Sequence, residues 1–382
     1  MDARASLMEL LEGIHDPRSA KGKRHPLSAI LGLAVVAMLA GMTSYEAIAQ
    51  YGQERGREFL YLLGFTRGRG LCKATYSRVF RRIDSADFEA RISQWILGRL
   101  RPGEAPHLAI DGKTARGSRD QDTPAAHLVA AYAPDVHATV AQLRVDAKTN
   151  EHKAALELLG VLPIESKVIT GDAMFTHRDT CAKIIEEGSD YILPVKDNPP
   201  TLRANIEAVF AEPEAGLSPL RVARRESEIE HAPETTKGHG RVEKRTIEVT
   251  SALAEYLQSD WSGCAQVFRL TRERRIGTKT EIEVVFGVTS LARQQAGPRR
   301  LLELIRAHWG IENSLHGVRD GTLKEDASRV RKGSAAEVMA ALRNIVIFLF
   351  DRLGHRSAAS ATRHYVCHPE KSLKVLTFPY SK

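Results

Sequence analysis

Three acidic side chains stand in settings that could support chemistry. Asp111 ends the run His107-Leu108-Ala109-Ile110-Asp111, Asp172 follows Thr170-Gly171, and Glu312 lies within His308-Trp309-Gly310-Ile311-Glu312-Asn313. Carboxylates are hard oxygen donors, and a set drawn from separate elements to one sheet edge suits Mg²⁺, which keeps waters and phosphate oxygens in its shell. Two such ions about 4 Å apart activate a water or a 3′-hydroxyl and stabilise the leaving oxygen of an in-line displacement at phosphorus. Around Glu312, helical spacing predicts that His308, Glu312, His316 and Arg319 share one face. The same spacing also suits a solvated polar surface, or a zinc site spaced His-x-x-x-Glu-x-x-x-His. Zinc would need a dry three-ligand set, and the usual His-Glu-x-x-His pattern is absent. His364, Cys367 and His368 form a weaker zinc candidate with no second cluster.

Positioning these acids requires a sheet and a late helix. From Pro106 the pattern predicts strands over His107–Asp111, His127–Tyr132 and Thr139–Val145, bounded by Gly, Pro and Asp turn signals. A helix over Glu151–Leu159, a strand Lys167–Thr170, a helix Thr176–Glu187, a strand Tyr191–Val195 and a helix after Pro199-Pro200 follow. The order βββαβαβα is that of a mixed α/β sheet. Between residues 212 and 296 short alternating runs take over, at Val242–Val249, Ala265–Thr271 and Ile282–Val288, predicting a β-rich insertion. There Lys237, His239, Arg241, Lys244 and Arg245 form a basic knot, either an exposed charged hairpin or a phosphate contact. A helix opens at Gly297-Pro298, with proline suited to its first turn and Leu301, Leu302, Ile305, Trp309 and Ile311 on its apolar side.

Residues 1–101 are predicted to be helical. Leu7, Leu10, Leu11 and Ile14 start one helix, a buried helix runs from Pro26, and another spans Tyr45 to Leu63. The apolar stretch Leu27 to Met42 has 16 residues, short of the roughly 18 expected of a membrane span. Thr75 is placed to cap a short helix with Arg78, Arg81 and Arg82, and Ser85 or Asp87 to open the next, with Phe88, Ile92, Trp95 and Ile96 on one face. The arginine face suits either a helix-turn-helix element or a bundle with solvated arginines.

The 382 residues carry 55 Lys+Arg against 47 Asp+Glu, a net +8, with 43% apolar residues, which suits two or three domains of roughly 100 to 200 residues each and excludes collagenous, disulfide-framework and wholly disordered chains. Residues 1–105 hold 16 basic and 11 acidic side chains and residues 306–382 hold 13 and 7, so both ends are basic and the middle is acidic. Basic flanks favour a polyanion, although the excess is mild. Cys72, Cys181, Cys264 and Cys367 are too far apart for a C-x-x-C pair, which fits a reducing, cytoplasmic compartment.

Ala109-Ile110-Asp111-Gly112-Lys113, Lys148-Thr149-Asn150-Glu151, Thr170-Gly171-Asp172-Ala173 and Tyr191-Ile192-Leu193-Pro194-Val195-Lys196 resemble the core of bacterial insertion-sequence DDE transposases, in the branch with the H-repeat-associated proteins. His308-Trp309-Gly310-Ile311-Glu312-Asn313, Leu315-His316 and Glu325-Asp326-Ala327-Ser328-Arg329 resemble its third-acid block. Asp16-Pro17-Arg18, Arg24-His25-Pro26-Leu27 and Ser44-Tyr45-Glu46-Ala47-Ile48-Ala49 are similar to the domain that precedes the core. The resemblance implies an α/β, RNase H-like mixed-sheet catalytic core with a β-rich insertion, preceded by an all-α N-terminal domain. The expected regions are 1–101 (helical, DNA-binding), 102–211 (first part of the core), 212–296 (insertion) and 297–382 (acid-bearing helix and C-terminal helices).

The resemblance further implies Asp111, Asp172 and Glu312 as catalytic metal ligands for two Mg²⁺ ions, with Mn²⁺ able to substitute. The expected partners are double-stranded DNA, both terminal inverted repeats and target, and a second copy in a synaptic homodimer; no membrane is involved. The expected location is the bacterial cytoplasm, with the nucleoid. Candidate DNA contacts are Arg78, Arg81, Arg82, Lys113, Lys196, His239, Arg241, His308, Trp309, His316 and Arg319. Relatives with an inserted β-domain carry a Tyr, Arg, Glu, Lys signature on the last helix, where this chain has Ile305, His308, Glu312 and Arg319. Two competing functions remain at this level: a relict transposase that regulates by binding DNA, and a zinc hydrolase using His308, Glu312 and His316.

Overall fold

The structure is a computed structural model and describes residues 5–120, 124–145, 150–197, 199–211, 229–238 and 240–377. Two compact units divide the chain: Met1–Ala105, Gly112–Asn150 and Gly310–Lys382 in one, Pro106–Asp111 and Glu151–Trp309 in the other. Strand β1 (His107–Ala115) contributes residues to both.

In the first unit the N-terminal helices follow their capping chemistry. Ser6 and Glu9 form a reciprocal capping box at α1 (Leu7–Glu12), satisfying backbone donors at the helix start. Helix α2 (Leu27–Leu39) opens after Pro26 and is buried along its whole length, as an all-round apolar helix must be. The helix expected over Tyr45–Leu63 is two, α3 (Tyr45–Glu54) and α4 (Arg57–Leu62), because the extended backbone of Arg55 and Gly56 separates them. Helix α5 (Lys73–Phe80) starts after Cys72, so Thr75 lies inside its first turn and is not its cap. The cap of α6 (Ser85–Leu97) is Asp84, which accepts hydrogen bonds from the backbone N–H groups of Ala86 and Asp87. The Asp16-Pro17-Arg18 motif is a staple: Arg18 pairs with Asp16 at 2.8 Å and donates to the His25 carbonyl at 2.7 Å.

The same unit contains the hairpin β2 (Ala126–Ala133) and β3 (Ala138–Arg144), which pair antiparallel. Much of its core comes from the C-terminal helices, numbered α13 to α15 in chain order: α13 (Ala335–Arg352), α14 (Ala358–Cys367) and α15 (Pro369–Thr377). Helix α13 packs on α2, α6 and β3, with Trp95 and Phe348 edge to face at 5.8 Å. The N-terminal helices therefore share one core with the C-terminal helices, and α2 is buried within it. Among the described residues no helix is long and apolar enough to cross a membrane.

The second unit is built on a sheet of order β1-β4-β5-β9-β8-β7-β6, where β4 is Val168–Gly171, β5 Asp190–Val195, β6 Glu230–Gly238, β7 Arg241–Thr250, β8 Gln266–Ile276 and β9 Lys279–Thr289. Strands β1, β4 and β5 are parallel, joined through α7 (Glu151–Val161) and α8 (Arg178–Glu186), as parallel neighbours require a helical crossover. Helix α9 (Pro200–Phe210) follows β5, and α10 (Ala254–Leu257) follows β7. The order β1-β2-β3-α7-β4-α8-β5-α9 matches the mixed α/β order expected from the sequence. The β-rich region continues this sheet, because β9 pairs antiparallel with β5 from Ile192↔Thr289 to Val195↔Phe286. Helix α11 (Pro298–His308) lies on it, burying Leu301, Leu302 and Leu304 against Ile192, Ile247, Val249, Phe268 and Leu270.

Candidate active site

In the second unit, β1 and β4 run parallel with Ile110 opposite Gly171. Asp111 and Asp172 are thus consecutive to a register pair on neighbouring strands, whose backbones are about 4.8 Å apart. Both carboxylates are half-buried. Asp172 caps the turn Ala173–Phe175, its Oδ1 accepting the Ala173 N–H at 2.7 Å. That turn folds back tightly: a Cβ at Gly171 would sit 3.2 Å from the Phe175 ring, so glycine suits the position. Lys196, exposed just past β5, brings its ammonium to 3.6 Å from Asp172 Oδ1. A cationic group thus already stands beside this carboxylate, and the donor set is the hard oxygen type that Mg²⁺ takes.

Directly before Gly171, Thr170 is 2% exposed and bridges two histidines. Its hydroxyl is 2.7 Å from His107 Nε2 on β1 and 2.9 Å from His308 Nδ1 at the end of α11. One hydroxyl proton satisfies one ring and the oxygen accepts from the other, so the bridge ties strand and helix to the segment that presents Asp172. Burial pushes His107 down to about 3 and His308 to about 4, the nearby Asp172 charge opposing the shift at His308. His308 is therefore neutral at pH 7, and its Nδ1 is engaged by Thr170. Trp309 packs against the α11 cluster, with the Arg272 guanidinium 5.2 Å and that of Arg245 5.9 Å from its ring centre. Arg241 is exposed, with Nε 3.5 Å from Glu243. His239 lies outside the described residues.

In the first unit, Glu312 and Arg319 do not share the one face expected of them, since Glu312 is exposed and Arg319 is fully buried. The α-helical ladder of α11 stops at His308, and Ile311–His316 is a π-helical segment followed by α12 (Gly317–Gly321). A π turn closes its hydrogen bonds one residue later than an α turn, so a spacing of seven no longer marks one face. Glu312 is exposed on this wide turn. His316 is held at about 3 by burial, with Arg319 and Lys113 adding to the shift.

Arg319 is fully buried and makes a two-pronged pair with Glu325, at 2.7 and 2.8 Å. Arg343 on α13 reaches the same carboxylate at 3.3 Å and donates to the Leu323 carbonyl at 3.2 Å. Arg319 is thus a buried cation held by Glu325. Burial alone would raise the Glu325 pKa, but the two guanidiniums outweigh it and hold the carboxyl below its ordinary range. Lys113 is likewise buried, donating to Asp320 at 2.7 Å with Asp326 at 3.9 Å. The close approach of Gly117 to the Ser328 carbonyl, 2.3 Å from where a Cβ would stand, completes the contact. The Glu325-Asp326-Ala327-Ser328-Arg329 block therefore anchors the segment after Glu312 to the end of β1.

Arg78, Arg81 and Arg82 are all exposed, on α5 and just after it. Sequence reasoning missed an open groove lined by Arg116, Arg119, Arg329 and Arg331, with Asp120 and Asp326. A signal for it was present, since Arg116 and Arg119 follow the Asp111-Gly112-Lys113 motif closely and Arg329 ends the later block.

Residues 102–349 match the family model described as Transposase DDE domain, and residues 8–96 match the one described as DDE_Tnp_1-associated. This chain belongs to the DDE transposase family. The DDE transposase is 32% identical to "Putative transposase YncI" of Escherichia coli O157:H7 over 90% of its own length and 87% of that protein. It is 30% identical to "H repeat-associated putative transposase YhhI" of Escherichia coli strain K12, over 89% of each chain. A looser likeness, with TM-score 0.44 and 10% identity, links it to a cryo-EM structure of a piggyBac transposase synaptic complex with hairpin DNA, covering 98% of this chain and 77% of that one. DDE transposases as a family use divalent metal ions.

Proposed function

We propose that this transposase cuts the phosphodiester bond at the terminal inverted repeats of its element and joins the freed 3′ end to target DNA. The ligands would be Asp111, Asp172 and Glu312, holding two Mg²⁺ ions for which Mn²⁺ can substitute. The observation that supports this reading is the Ile110↔Gly171 register, because Asp111 and Asp172 are the residues that follow it on the two neighbouring chain segments. When bound, the metal lowers the pKa of an attacking hydroxyl and offsets charge on the leaving oxygen. The chain's own residues supply position and field. Asp111 and Asp172 present oxygen donors from a rigid sheet, and the His107–Thr170–His308 bridge fixes the strand end behind Asp172. Lys196 offers an exposed cation beside Asp172 for a scissile or flanking phosphate.

Water adds to phosphorus at the transposon end and releases a 3′-hydroxyl and a 5′-phosphate. That hydroxyl then attacks a target phosphodiester and displaces its 3′ oxygen. Arg78, Arg81, Arg82 and the arginines around Arg116 are proposed to hold duplex backbone, and the pairing of two ends calls for a homodimer. The working location is the bacterial cytoplasm, at the nucleoid.

The test is cleavage of a labelled duplex carrying the element's own terminal repeat, in Mg²⁺ and in EDTA, with Asp111→Asn and Glu312→Gln beside wild type. A metal-dependent nick at the repeat boundary, lost in both variants while repeat binding persists, is expected. Specific binding without cleavage in any divalent metal would instead establish a DNA-binding regulator.

A further inference from the structure

Within the second unit, and apart from the acids, His152, His177 and Asp179 bring two imidazoles and a carboxylate together, with one ligand atom from each all within 4.8 Å of one another. His152 is the second residue of α7; His177 immediately precedes α8, and Asp179 is in the first turn of α8. The two rings lie 4.0 Å apart, centre to centre, tilted by 25°. His152 Nε2 stands 2.9 Å from Asp179 Oδ1. A histidine–carboxylate bond between helices accounts for His152 and Asp179, but it gives no role to a second imidazole stacked on the first. Both histidines are half-buried while Asp179 is exposed, so the group opens to solvent on one side.

We propose that His152, His177 and Asp179 form a binding site for a borderline divalent ion of the zinc class, separate from the acid site. Two neutral nitrogens and one carboxylate oxygen are the donors that Zn²⁺ takes, whereas Mg²⁺ demands oxygen. Three protein ligands with an open side leave the fourth tetrahedral position to water. Because α7 packs on both α8 and the Ala173–Phe175 turn, an ion here would clamp the start of α7 to the segment that begins at Asp172. Its first effect is therefore on the stiffness of that segment, and the binding does not depend on the transposition chemistry.

The test uses the full chain, stripped with EDTA and titrated with Zn²⁺ against a chromogenic zinc indicator in a large excess of Mg²⁺. Wild type, Asp111→Asn and the His364→Ala/His368→Ala variant are each expected to take up a stoichiometric equivalent. His152→Asn and His177→Asn are expected to lose it while keeping the wild-type circular dichroism and zinc-free melting temperature. Zinc should raise the melting temperature of wild type only where the site is intact, as a ligand of the folded state must. Uptake that Mg²⁺ displaces, that survives in His177→Asn, or that vanishes with His364 and His368 would overturn the proposal, as would no stoichiometric uptake by wild type.

Discussion

Replacing Glu325 with alanine removes the shared partner of two guanidiniums that have almost no access to water, Arg319 at 0% and Arg343 at 1% exposure. Breaking a buried pair by deleting one member costs about 3–5 kcal/mol, because an uncompensated charge stays behind. Arg343 keeps its bond to the Leu323 carbonyl, whereas Arg319 loses both of its bonds to Glu325. The loss is therefore carried mainly by Arg319, and about 4 kcal/mol is expected, a large part of the roughly 5–15 kcal/mol that keeps a domain folded. Glu325→Gln preserves shape and one acceptor and should lose about 2 kcal/mol, the worth of a hydrogen bond to a charged group.

Urea unfolding followed by tryptophan fluorescence measures this, since Trp95 lies against Phe348 on the helix that carries Arg343. The depressed Glu325 pKa adds a second readout. Its contribution is present above the unfolded carboxyl pKa of about 4.3 and is lost as pH falls through the lower folded value. Wild type should thus lose stability below about pH 4 more steeply than Glu325→Gln. A Glu325→Ala loss under about 1 kcal/mol, with no change in acid sensitivity, would refute the claim that this carboxylate balances both arginines.

Two further outcomes follow from the packing. Gly117→Ala would place a methyl 2.3 Å from the Ser328 carbonyl oxygen and 2.6 Å from that of Asp326; a destabilisation of about 1–3 kcal/mol is expected, while Gly321→Ala, with nothing near its added methyl, should be silent in the same melt. Thr170→Val strips the hydroxyl between His107 and His308 and should cost about 1–3 kcal/mol. Thr170→Ser should restore most of that stability, and equal melting of the valine and serine variants would show that the bridge contributes nothing.

The parallel core was legible because its strands are apolar runs bounded by turn residues, and the family blocks fell at their ends. Strand β6 was not, since Glu230–Gly238 is polar and contains Pro233; among the described residues it pairs only with β7, and an edge strand tolerates both features. Alternation found β8 and β9 but stopped short of their charged ends, where Arg272 pairs with Glu283 and Arg274 with Glu281 across the ladder. The burial of Arg319 and Lys113 was not legible, because a sequence does not show which charges are buried. The Thr170 bridge was hidden for the same reason, as it joins residues from three distant segments. That Asp111 and Asp172 stand at strand ends was expected from the sequence, but the adjacency of the two strands and their register come from the structure.

The π segment carries a consequence for how the end of this chain can vary. An α-helix advances about 100° per residue, so removing one residue between Ile311 and His316 and letting the ladder close normally would rotate everything beyond it by about that angle. Asp320 would swing away from Lys113, which stays behind on β1. The extra residue thus acts as a phase shifter: it lets an outward-facing acid and an inward-facing cation be written on one nearly continuous helix. Relatives that differ here by a single residue would share the letters of this segment and not its wiring.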